Sequence, residues 1–61
     1  MKAKDRINSI IEMIPYNGFI MTKDLSSRFN VTDETIRRDL NKIVAMNIGV
    51  RKAHGGAYRI H

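Results

Sequence analysis

Val31-Thr32-Asp33-Glu34-Thr35-Ile36-Arg37-Arg38-Asp39-Leu40-Asn41-Lys42 carries a marked helical start followed by a two-sided pattern. Thr32 stands where a side-chain oxygen can cap the first amides, Val31 can staple onto Ile36, and Asp33 and Glu34 put negative charge at the positive end of the helix dipole. At about 100° per residue, Ile36, Leu40, Ile43 and Val44 fall on one side, while Glu34, Arg38, Asn41 and Lys42 fall on or near the other. Arg37 lies at the flank, one turn after Asp33. The spacing predicts a helix over about 33–46 whose outer face carries arginine and asparagine, side chains whose paired hydrogen-bonding groups match guanine and adenine edges in a major groove. A solvated face held by Asp33–Arg37 and Glu34–Arg38 pairs would use the same residues, so the rest of the chain has to decide.

Upstream, Asn30 suits a left-handed stop, and Thr22 is placed to cap a short helix from Lys23 to Phe29 with Leu25 and Phe29 inward. The short interval between this helix and the next is the connection of a helix-turn-helix, in which the second helix enters the groove. Phe19-Ile20-Met21 reads as a brief strand and Tyr16-Asn17-Gly18 as a turn. Pro15 should end a first helix near Ile14, whose apolar stripe is Ile7, Ile10, Ile11 and Ile14, with Lys4, Asn8 and Glu12 left to solvent. Downstream, Asn47 is the expected C-cap of the long helix. Ile48 to Ala53 and Ala57 to Ile60 read as two strands joined by His54-Gly55-Gly56, and Phe19 to Met21 can join them as a third. The expected fold is a mainly α, small α+β winged helix-turn-helix of three helices with a small antiparallel sheet.

Composition narrows the function. With 61 residues, the chain is expected to be one domain, 1–61, able to bury roughly 60% of its unfolded surface and too small for a deep catalytic cavity. No cysteine is present, and His54 and His61 are the only histidines. Neither a disulfide framework nor a metal site is expected, no cofactor is implied, and a reducing, cytoplasmic setting is the expected location. The apolar runs are far short of the roughly 20 residues needed to cross a bilayer, and Met1-Lys2-Ala3-Lys4-Asp5 opens onto an amphipathic stripe that a domain this small needs for its core. A membrane partner is therefore not expected. The balance of 11 Lys and Arg against 6 Asp and Glu, net +5, favours a polyanionic partner, nucleic acid before anionic membrane. The charge is uneven, since Arg51, Lys52 and Arg59 follow Asp39 with no later acid. Ser9, Ser26 and Ser27 have no recognisable base and acid beside them, and no phosphate-loop or dinucleotide fingerprint occurs, which argues against an enzyme. The competing reading is a winged-helix module for protein interaction or nonspecific nucleic-acid binding, because a fold does not fix a function. Steep salt dependence of DNA affinity separates it from a protein-interaction module.

Thr35-Ile36-Arg37-Arg38-Asp39-Leu40 followed by His54-Gly55-Gly56-Ala57 resembles the N-terminal DNA-binding domain of DeoR-type bacterial transcriptional regulators. The resemblance covers nearly the whole chain, with Arg6-Ile7 through Ile14, the Gly18 turn, Thr22 to Phe29 and Val31-Thr32 at the family's positions. It implies a repressor, usually of a sugar or nucleoside catabolism operon, binding a double-stranded DNA operator. It also implies a C-terminal domain outside these residues that binds a phosphorylated sugar and assembles a homo-oligomer, so this chain is expected to be the N-terminal part of a longer regulator. Two departures stand out. Asn47 occupies a place where many relatives have glycine, which the left-handed tolerance of Asn accommodates. Lys52 and Ala53 both separate Arg51 from His54, making the wing one residue longer, and a one-residue slip reverses which side chains face the core; the orientation of Arg51 and Lys52 is thereby open.

Thr32, Thr35, Arg37, Arg38, Asn41 and Lys42 form the expected main DNA-contact surface, because the N-terminal part of a recognition helix reaches base edges. Arg38 is the leading candidate for guanine, with phosphate contact or intrahelical pairing as the other uses of Arg37 and Arg38. Thr22 and Lys23 either hold a phosphate at a helix N-terminus or serve only as a cap. Arg51, Lys52 and the Gly55-Gly56 backbone are expected on phosphate or in a minor groove, with a simple tight turn as the alternative for the glycines. His54 can donate to phosphate or stand merely exposed. Asp39 is expected to be structural, paired locally or with a basic residue nearby.

Overall fold

The computed structural model describes residues 1–60, in the order α1 (Ala3–Met13), β1 (Phe19–Met21), α2 (Thr22–Phe29), α3 (Asp33–Ala45), β2 (Val50–Ala53) and β3 (Gly56–Arg59). His61, one of the two histidines behind the no-metal expectation, lies outside the described residues. Three helices and a three-stranded antiparallel sheet of order β1-β3-β2 make the expected winged helix-turn-helix.

The helix ends follow from local chemistry. α1 stops where Ile14 turns extended, at φ −73 and ψ 114, immediately before Pro15. α2 stops at Asn30, which takes the left-handed conformation at φ 55 and ψ 47, and the Val31 amide then donates back to the Ser26 carbonyl at 3.0 Å. Only Asn30, Val31 and Thr32 separate α2 from α3, which holds the two helices in the close pairing of a helix-turn-helix. At the start of α3 the Thr32 hydroxyl accepts the Thr35 amide at 3.2 Å, the cap its sequence calls for.

Several boundaries differ from expectation; β2 begins at Val50 rather than Ile48, after Gly49 at φ 89, and β3 ends at Arg59 rather than Ile60. Thr22 is the first residue of α2 rather than its cap, and no side-chain cap bond forms there. Its amide instead donates to the Gly55 carbonyl at 2.9 Å, a long-range backbone bond that takes over what a cap would have done. The C-cap of α3 is Met46, with Asn47 one residue beyond it at φ 57; the left-handed residue belongs just past a helix end. Gly56 lies in β3, opposite both Met21 and Ala53, so the wing turns on His54 and Gly55 alone.

The core is aliphatic. Ile7, Ile10, Ile14, Leu25, Ile36, Leu40, Ile43, Val50 and Ala57 are buried, and Ile11, Met13, Ile20, Phe29, Val31 and Val44 pack around them. Each fully buried Ile or Leu stabilises the fold by about 1.5–3 kcal/mol relative to exposure. This face of α3 is the predicted one, and it leaves the opposite side of the helix to solvent.

Candidate nucleic-acid interface

α3 presents Arg37, Arg38, Asn41 and Lys42 to solvent, with Thr32 exposed and Thr35 half-buried at its start. The Thr32 and Thr35 hydroxyls lie 2.9 Å apart, so both are tied into the cap, and whichever hydroxyl donates leaves the other's proton free for an outside acceptor. Neither Asp33–Arg37 nor Glu34–Arg38 closes an ion pair, the one salt bridge among the described residues being Arg6–Asp39. The outer face is thus not tied up by pairing within its own helix.

Beside the start of α3 lies an open groove of about 470 Å³, lined by the first residues of α2, the first turn of α3 and the wing. Lys23, Arg37, Lys52 and His54 line it against the single carboxylate of Asp33. Converging cations with little opposing charge in a concave site focus positive potential, and an anion is the natural occupant. The Thr22 amide is already spent on Gly55, and Thr22 is only 6% exposed. That one amide of the α2 start is therefore not open to a phosphate, whereas Lys23 beside it is exposed.

The register settles where the two wing cations point. Directly paired residues share a face of the sheet. Lys52 pairs with Ala57, which is fully buried on the helix side, so Lys52 projects on that side but beyond the core, into the groove. Arg51 pairs with Tyr58, which pairs with Phe19, and all three are exposed on the reverse face. Of the wing and α2 candidates, Thr22, Lys23, Lys52, His54, Gly55 and Gly56 meet Arg37 around the groove. Arg51 does not.

Gly55 and Gly56 have different structural reasons. Gly55 has φ +79, and a Cβ there would meet nothing within 4 Å. At Gly56 a Cβ would lie 2.0 Å from the Ile20 carbonyl oxygen and 2.8 Å from Phe19 Cζ. One glycine permits the turn and the other permits β1 and β3 to close.

Asp39 is structural and paired with a basic residue, as expected, but its partner escaped the reading of the sequence, as did the burial of Arg59. Asp39 is 2% exposed, and its carboxylate takes both Arg6 Nε at 2.5 Å and Arg6 Nη2 at 3.1 Å. The hydrogen bond to Asp39 raises the Arg6 pKa from its ordinary value; burial opposes the shift and the charge of Asp39 adds to it. A signal for this pair exists, because Asp39 falls within the apolar stripe of α3, where a carboxylate needs a cation. Its partner, 33 residues away, has no local cue. Arg59, counted among the C-terminal cations, is 8% exposed, and its guanidinium carbon sits 4.6 Å from the Tyr16 ring centroid. Its charge is withdrawn from the surface.

Among the described residues no group of three or more metal-ligating side chains occurs, and no helix is long and apolar enough to cross a membrane.

The comparisons with known proteins agree with this architecture. Residues 6–61 match the DeoR-like helix-turn-helix domain. The chain is 44% identical over 57 residues to the glycerol-3-phosphate regulon repressor of Escherichia coli K12, covering 93% of this chain and 22% of that protein. It is 38% identical over 60 residues to the HTH-type transcriptional regulator YulB of Bacillus subtilis, covering 98% of this chain and 23% of the relative. To the lactose phosphotransferase system repressor of Staphylococcus epidermidis it is 33% identical over 57 residues, covering 93% of this chain and 22% of the relative. No solved structure matches the chain significantly. The chain thus spans less than a quarter of the length of these relatives, and over that length it belongs to the family of DeoR-like helix-turn-helix domains.

Proposed function

We propose that this chain binds double-stranded DNA sequence-specifically as the DNA-reading part of a bacterial transcriptional repressor, with α3 in the major groove. The observation that carries the reading is the juxtaposition of an unpaired Arg38-Asn41-Lys42 face on α3 with the cation-lined groove beside the helix start. Arg38 and Asn41 are the base readers, since their donors and acceptors fit guanine and adenine edges. Lys23, Arg37, Lys52 and His54 hold backbone phosphate, which sets register and affinity without reading sequence. Arg51 approaches neighbouring backbone only from the reverse side of the wing.

Names of the relatives point to a carbohydrate-linked regulon, one for glycerol 3-phosphate and one for a lactose phosphotransferase system. On that basis the regulated operon serves uptake or breakdown of a sugar or a related phosphorylated metabolite, and a phosphorylated sugar is the inducer. Such a ligand would act through the additional length that the relatives possess, as would homo-oligomer formation. Occupying an operator requires no bond-making, so no enzymatic activity is assigned, and the site of action is the cytoplasm, where bacterial DNA lies. Two linked α3 helices on half-sites one helical turn apart would bind far more tightly than one.

Selection from a randomised duplex pool at two salt concentrations tests the proposal. Enrichment of a defined sequence, with affinity falling steeply as salt rises, is the expected result. Salt-sensitive binding without any enriched sequence would leave a nonspecific module, and no binding at low salt would overturn the reading.

A further inference from the structure

Ile36, Leu40 and Ile43 bury α3 through apolar side chains, and apolar contacts are non-directional. Cores with the right volume keep their stability more readily than their unique arrangement. Rotating a helix by about 20° moves an atom about 6 Å from its axis by about 2 Å. That displacement exceeds the whole distance window of a hydrogen bond, so reading a base edge requires the rotation of α3 to be held far more tightly than burial alone demands.

One contact on the inner side of α3 is directional. Asp39 directly follows Arg38 in the chain, faces inward, and is gripped by both Nε and Nη2 of Arg6 in the first turns of α1. Among the described residues no other side-chain hydrogen bond joins two helices. A planar guanidinium on a carboxylate fixes angle as well as distance. We propose that Arg6 is a positioning residue for sequence readout, acting through Asp39 to set the rotation of α3 so that Arg38 and Asn41 meet base edges. The inference rests on the DNA-binding reading above, but it makes a separate claim about helix orientation.

Two variants test it. Arg6→Lys keeps a positive charge and loses the fork. The double variant Arg6→Met, Asp39→Leu replaces the pair by apolar side chains, a change that often preserves or raises stability. Each is measured for its urea midpoint, for the orientation of α3 against α1 by backbone residual dipolar couplings, and for affinity toward the selected duplex and a scrambled one at fixed salt. In the double variant the expected result is a midpoint close to wild type, a rotated or averaged α3, and a ratio of selected to scrambled affinity reduced at least about tenfold, equivalent to losing one good base contact. Affinity for the scrambled duplex should not change. Arg6→Lys should fall between the two and supplies the answer if the double variant does not fold. Unchanged couplings together with an unchanged ratio would overturn the positioning role even if DNA reading holds. If the wild type prefers no duplex, the DNA-reading proposal fails, and the couplings alone then decide whether Arg6 orients α3.

Discussion

Replacing Gly56 by alanine should strongly destabilise the domain, whereas the same replacement at Gly55, its neighbour in sequence, should be mild. A Cβ at Gly56 would sit 2.0 Å from the Ile20 carbonyl oxygen and 3.0 Å from its carbonyl carbon. A carbon normally approaches a carbonyl oxygen no closer than about 3.3 Å. The strands would therefore have to part by about 1.3 Å at the point where Met21 pairs with Gly56. Overpacking typically costs about 1–3 kcal/mol, and an obstacle made of backbone rather than a mobile side chain places this case at about 3 kcal/mol or beyond. Against a total of roughly 3–9 kcal/mol for a chain of this length, that is at least about a third of the stability. At Gly55 the added methyl points into open space, and only the left-handed φ of +79 opposes it. The expected cost is about 1 kcal/mol, partly offset by a less flexible unfolded chain. Urea denaturation followed by far-ultraviolet circular dichroism measures both. A Gly56→Ala variant within about 0.5 kcal/mol of wild type, or a Gly55→Ala variant costlier than Gly56→Ala, would refute the packing argument.

Thr32→Ala removes the cap on the Thr35 amide and should destabilise the domain by about 1 kcal/mol, while Thr32→Asp, which keeps a cap acceptor, should largely preserve it in the same denaturation assay. Lys52→Ala should weaken binding to all duplexes alike and reduce the slope of log affinity against log salt by about 1. Arg51→Ala, on the reverse face of the sheet, should change that slope much less. Arg6→Met alone strands the buried Asp39 carboxylate and should destabilise by about 3 kcal/mol; adding Asp39→Leu should recover most of the loss, and a double variant no more stable than the single one would contradict the pairing.

The elements governed by local rules were legible in the sequence. The stripe of Ile7, Ile10 and Ile14 with Pro15 behind it marks α1, and Thr32, Asp33 and Glu34 mark the start of α3. Asn30 marks the end of α2 through its tolerance of left-handed backbone. What was not legible depends on pairing across the chain. Thr22 enters the helix because Gly55 takes its amide, and no window around Thr22 contains that information. The face of Lys52 depends on a register fixed by a two-residue turn, whereas the sequence alone places Gly56 in the turn rather than opposite Ala53 in the ladder. Arg59 is buried with its guanidinium over the Tyr16 ring, distant in sequence, and the partner of Asp39 lies on a helix at the far end of the sequence. In the candidate site, the exposed face of α3 follows from helical periodicity, whereas the groove beside it exists only once the wing folds back against α2 and α3.

The division of labour between α3 and the groove is most directly tested by measuring affinity for a set of duplexes, each changed at one base pair of the selected sequence, for wild type and for Arg38→Ala at one salt concentration. The expected result is that Arg38→Ala loses about 1–3 kcal/mol on the selected duplex and becomes indifferent to the base pair at one position while discriminating at the others. A uniform loss at every position, with discrimination intact, would place Arg38 on phosphate and contradict base reading by the outer face of α3.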